Sequence, residues 1–124
     1  MAEEKKEKII YIATHGGENP EIASLPFVLA NAAQAMEVEA VVVLQGPAVF
    51  LAKKGYLQHV HAAGFSPLQE LLDSFMEAGG RLLACVPCLQ ERKIDVSDLI
   101  DGAVPTAGGT LTLEILEANA TLVY

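Results

Sequence analysis

Two cysteines three residues apart, in Cys85-Val86-Pro87-Cys88, are the only thiols in a chain of 124 residues. A thiolate is a nucleophile and a metal ligand, so a pair at this spacing can pass sulfur, close a disulfide or supply half of a zinc site. Arg92 follows Cys88 by four residues, about one helical turn, with Lys93 beside it. A cation there, or the positive end of a helix starting near Cys88, favours a thiolate or holds an anionic substrate. Helix-dipole reasoning alone therefore points to Cys88 as the nucleophile. Plain burial competes, because an unpaired cysteine often behaves as a small hydrophobe. Zinc needs about four ligands. It would have to recruit among His15, His59 and His61, whose spacing fits no known finger, and each histidine reads more simply as a loop residue. No metal site and no cofactor are expected. A thioredoxin-like dithiol protein is conceivable, but the motif follows the third strand rather than an early one, and the chain has no Trp.

The elements around the motif read as alternating strands and helices. Residues 8–14, 39–45 and 81–85 are continuously apolar runs closed by turn signals, with a weaker strand at 102–105 and a terminal one at 121–124. A helix is expected to begin between Pro20 and Ser24, since Pro26 is tolerable only in a first turn. A second is expected with Ser66 as N-cap, Pro67 at its first position and Gly79-Gly80 at its end. Short helical turns are expected at 49–51, 89–93 and 95–100, an irregular loop at 55–67, and a last helix over 109–119. Strands this uniformly apolar predict an α/β fold with a mainly parallel sheet of about five strands, covered on both faces. Such sheets bind ligands beyond the carboxyl ends of their strands. Those ends carry His15-Gly16-Gly17, Gln45-Gly46, Cys85 to Cys88 and Pro105-Thr106, which makes His15, Gly16, Gln45 and the loop histidines His59 and His61 candidate pocket residues.

Residues 1–7 read as a disordered charged leader and 8–124 as a single domain. A composition that is 52% hydrophobic supplies one core without a staple. The net charge of -8 repels phosphate backbones and anionic lipid, so neither nucleic acid nor membrane is an expected partner. The lysines at 5, 6, 8, 53 and 54 read as solvated charge. The first residues lack the apolar region of a secretory signal, and no apolar run is long enough to span a bilayer, so a cytoplasmic location with reduced thiols is expected.

The order and spacing of several segments resemble the DsrE/DsrF-like family of small sulfur-relay proteins, and within it a subgroup described as predicted peroxiredoxins. The segments are Pro26 to Ala33, Lys53-Lys54-Gly55-Tyr56 with His59-Val60-His61, Ala78-Gly79-Gly80, Cys85-Val86-Pro87-Cys88 with Arg92-Lys93-Ile94, and Leu99 to Gly102. The resemblance implies a three-layer αβα fold, assembly into homotrimers or hexamers, and a cysteine that carries a persulfide and passes sulfane sulfur from a donor protein to an acceptor. Counting from the family's Arg, that cysteine is Cys85. Lys93 stands where the family usually has Gly, so a different loop backbone is expected there. Residue reasoning and resemblance thus disagree on the nucleophile, and Cys85 is taken as carrier, Cys88 as resolving or supporting thiol, and Arg92 as anion holder. Two alternatives stand beside the relay: a non-catalytic oligomeric module that binds a small ligand or partner with buried thiols, and a dithiol redox protein.

Overall fold

Aliphatic and β-branched runs become strands in the computed structural model, which describes residues 6–124: β1 (Lys8–Ala13), β2 (Glu39–Leu44), β3 (Arg81–Cys85), β4 (Ala103–Thr106) and β5 (Ala120–Val123). All pair in parallel, in the order β4-β3-β2-β1-β5. The helices are α1 (Pro20–Ala35), α2 (Leu68–Glu77), α3 (Val86–Glu91) and α4 (Gly108–Glu117). Of the expected leader, residues 1–5 lie outside the described residues, while Lys6 and Glu7 are exposed.

Strand residues alternate between two buried layers, which is why the strands read as unbroken apolar runs. Val42, Leu44, Leu82 and Ala84 belong to the core that also takes Phe27 of α1 and Phe75 of α2, whose rings meet edge to face at 5.8 Å. Ile10, Val41, Val43 and Leu83 point to the other face, where Leu111 of α4 and Ala118 pack. The result is the three-layer α/β fold expected.

Several boundaries differ from expectation for identifiable reasons. Asn19 caps α1 by accepting from the Ile22 N–H, which puts Pro26 in the helix interior rather than its first turn. The lost backbone bond is tolerated because Pro26 is itself buried in the core. Helix α2 starts one residue later than expected, with Pro67 as N-cap and Ser66 outside it; the Val60 carbonyl accepts from the Leu68 N–H instead. At its other end Gly79, at φ 89°, lets Gly79 N–H donate to Met76 and Gly80 N–H to Phe75, the paired bonds of a Schellman motif.

Lys8 is not the solvated charge its surroundings in sequence suggest. It is buried, and its Nζ donates to Glu114 at 2.8 Å, while Arg81 forms an ion pair with the same carboxylate and reaches Glu39 at 3.6 Å. Strand pairing explains this: Lys8 aligns with Glu39 in β2, and Arg81 opens β3 next door, so three strands bring their first residues under the end of α4. Among the described residues no helix is long and apolar enough to cross a membrane.

Candidate functional site

The thiol pair sits where β3 turns into α3. The helix begins three residues earlier than the sequence suggests, because Pro87 falls at its second position, where no backbone N–H is needed and φ is already helical. Cys85 is thus both the last residue of β3 and the N-cap of α3, and Cys88 is the third helical residue. Both side chains are half-buried, and their sulfurs stand 2.9 Å apart, inside the contact distance of unbonded sulfurs. Neither is in a disulfide.

Burial pushes the Cys85 thiol above its ordinary pKa, and the adjacent Cys88 sulfur pushes it further. The Cys88 backbone N–H and the Arg92 guanidinium pull it down without balancing the rise. The helix-end and cation effects expected from sequence therefore act on Cys85 but lose to desolvation. Arg92 is half-buried and spends its Nη1 on the Cys88 carbonyl at 3.2 Å, bracing the first turn of α3 rather than touching a sulfur. The loop after it does not depart from a glycine-like backbone. Lys93 occupies the left-handed region at φ 55°, and Lys93 and Ile94 donate to the Gln90 and Leu89 carbonyls in a second Schellman motif. A lysine there costs about 1 kcal/mol relative to glycine.

Parallel pairing carries His15, Gly16 and Gln45 to the same edge of the sheet as the thiols. His15 and Gly16 follow β1, and Gln45 follows β2, with its backbone N–H donating to the Ala13 carbonyl. A side chain on Gly16 would meet the Pro47 carbonyl at 2.7 Å, and one on Gly17 would meet the Tyr56 hydroxyl at 2.7 Å. Gly17 N–H donates to that hydroxyl, and Tyr56 stacks on Phe50. Gly16 is therefore required by close backbone packing, and Gly17 by the approach of the Tyr56 side chain. His15 donates to the Glu18 carboxylate at 2.9 Å, His61 donates to the Phe65 carbonyl at 2.9 Å, and His59 is exposed. None of the three is hydrogen-bonded to a thiol, and among the described residues no group of three or more His, Cys, Asp or Glu side chains is placed to hold a metal ion.

Two contributors were not singled out from sequence. Thr106 lies opposite Cys85 in the β3–β4 register, is buried, and its hydroxyl has no partner among the described residues. Its position at a strand end was visible, but its pairing was not. Tyr56 closes on the β1 loop; in the sequence it stood within a resembling segment with no role attached. The topology also singles out this corner. The chain leaves β3 through α3, whose Leu89 joins the α1/α2 core, and leaves β4 toward α4 on the opposite face. Adjacent strands whose connections depart on opposite faces open a crevice at their carboxyl ends.

A family model described as the DsrE/DsrF-like family matches residues 7–124. No curated protein matches the chain. Among solved structures, the chain is similar to the ychN protein from E. coli, with a TM-score of 0.81 and 22% identity over 95% of this chain and 99% of that one. It also resembles MTH1491 of Methanobacterium thermoautotrophicum, a protein of unknown function, with a TM-score of 0.66 and 16% identity over 97% of this chain and 100% of that one. The conserved protein BT1422 of Bacteroides thetaiotaomicron, also of unknown function, gives 0.65 and 17% over 95% of both chains. These likenesses are to the fold.

Proposed function

The chain belongs to the DsrE/DsrF-like family, and from that premise we propose that it is a sulfur-relay protein in which Cys85 carries sulfane sulfur as a persulfide and yields it to the thiol of an acceptor protein. The observation that carries this reading is the placement of Cys85 and Cys88, sulfurs 2.9 Å apart and half-buried, at the carboxyl end of β3. In the proposed reaction the Cys85 thiolate attacks the outer sulfur of a donor persulfide, the donor thiolate leaves, and the acceptor later repeats the exchange. Arg92, which lowers the cost of charge at Cys85, is the proposed anion holder. His15, Gly16, Gln45, His59 and His61 are the proposed surroundings of the incoming thiol.

The proposal includes a single domain over residues 8–124, a reducing cytoplasmic setting, and self-association into a homotrimer or hexamer. Self-association is supported by apolar side chains left open: Leu113 and Leu116 of α4 are 62% and 74% exposed, and Val104 and Val123, on the two edge strands β4 and β5, are exposed as well. The test of the relay is mass spectrometry after incubation with a sulfane-sulfur donor. A gain of about 32 Da on the Cys85 peptide, reversed by a thiol reductant, is the expected adduct. Its absence from both the folded wild type and a folded Cys88→Ser variant would end the relay reading. The close sulfur contact also supports a second reading, a dithiol redox protein. That one predicts a Cys85–Cys88 disulfide in equilibrium with glutathione and no sulfur-bearing intermediate.

A further inference from the structure

A sulfur carrier needs one thiol, and this site holds a second within 2.9 Å of it. We propose that a persulfide on Cys85 is discharged from within: the Cys88 sulfur displaces hydrogen sulfide from it and leaves a Cys85–Cys88 disulfide, so that the protein releases sulfide as well as relaying sulfur. The inference rests on the relay reading and adds an activity to it.

The geometry decides which sulfur is attacked. In a Cys85 persulfide the inner sulfur is the Cys85 Sγ itself, the atom that Cys88 already touches. Attack there expels hydrosulfide, whose conjugate acid is more acidic than an alkyl thiol, and a more acidic leaving group departs faster. Cys88 is held on the first turn of α3, with Pro87 stiffening the backbone before it and Arg92 donating to its carbonyl at 3.2 Å. Its sulfur therefore stays near its target, and an intramolecular attack of this kind outruns one by an acceptor arriving at low concentration.

The step balances without an external oxidant. The Cys85–Cys88 sulfur bond forms as the bond from Cys85 to the terminal sulfur breaks. The sulfane sulfur gains two electrons and becomes sulfide, while the two cysteine sulfurs lose one each. The Cys88 proton and the persulfide proton leave together as hydrogen sulfide. Returning the disulfide to thiols takes two electrons from an external dithiol reductant.

The test uses the reduced 124-residue chain and its Cys88→Ser variant, each loaded briefly with inorganic polysulfide and desalted. Samples are quenched with iodoacetamide over time, then read by peptide mass and by a sulfide assay. The Cys85 adduct should persist in Cys88→Ser with a half-life about tenfold or more longer than in wild type. In wild type it should give way to a disulfide-linked peptide lacking two hydrogens, with one sulfide released per disulfide. An adduct that survives equally long in both proteins overturns internal discharge and leaves the relay standing. No adduct on Cys85 in either protein overturns both. Cys88→Ala repeats the comparison should the serine variant fold poorly.

Discussion

At the scale of single residues, the thiol pair balances reactivity against desolvation. Cys85 stands at a helix N-terminus within the influence of Arg92, yet half-burial and the neighbouring sulfur hold it protonated at neutral pH. Its thiolate fraction should therefore be small until the solution is alkaline. In peptide-resolved iodoacetamide labelling, the Cys85 rate should be slower at pH 7 than that of a free cysteine, and should climb about tenfold per pH unit from neutrality to at least pH 9. A rate already flat below neutrality would mean the charge is stabilised by something stronger than the burial that opposes it. In a relay, such a thiol gains reactivity only when a donor or neighbour removes its proton. Cys88, Arg92 and the spacing between them were legible as a reactive constellation. The sign of the net effect was not, because desolvation depends on what covers the sulfur.

At the scale of elements, α4 shows how charge positions a helix. Glu114 faces the sheet, where Lys8 and Arg81 both bind it, and these cations hold its carboxyl down to about 2. A carboxylate depressed on folding contributes stability that is fully present above its ordinary range near 4.5 and is lost as pH falls through about 2. Glu114→Gln should therefore destabilise the protein at pH 7 by about 1–2 kcal/mol, because it leaves buried Lys8 only the longer pairing with Glu117 at 3.6 Å, and should flatten the fall in stability between pH 4.5 and 2. Urea titrations of both proteins at pH 7 and pH 3 check this. An equal pH dependence would show that α4 docks by its apolar contacts alone. The carboxyl end of α3 makes a related point. Lys93 holds the left-handed conformation because the two backbone hydrogen bonds of the Schellman motif outweigh the strain of its side chain. Residue type alone suggested a different loop there. The start of α3 was likewise misplaced from spacing, until the position of Pro87 in its first turn drew both cysteines to the helix N-terminus.

At the scale of the molecule, among the described residues one face of the sheet carries three α-helices and the other carries only α4, which exposes Leu113, Ile115 and Leu116. That asymmetry follows from the topology, since only the last crossover runs back across the sheet. Leu113 and Leu116 lie one helical turn apart, with Val104 and Val123 exposed on the two edge strands, and they are the surface that the proposed self-association would cover. If the proposed oligomer forms through this face, Leu116→Glu with Leu113→Glu should convert it to a monomer in light-scattering-coupled sizing, with the fold retained by circular dichroism. A wild-type chain that elutes as a monomer at high micromolar concentration would show that this face needs no copy of itself.

Taken alone, the sequence determined the α/β class, the parallel sheet and the placement of a thiol pair at a strand's carboxyl end. Apolar runs, helical periodicity and turn residues are local signals, and the existence of the strands and long helices, though not their exact starts, follows from neighbours in the chain. Tertiary structure decided what lies between distant segments. It put Thr106 opposite Cys85, buried Lys8 against Glu114 from 106 residues away, and left the outer face of α4 open. It also decided that desolvation prevails over the cation and the helix end at Cys85. Burial and long-range pairing depend on which elements meet, and no spacing within one segment carries that information.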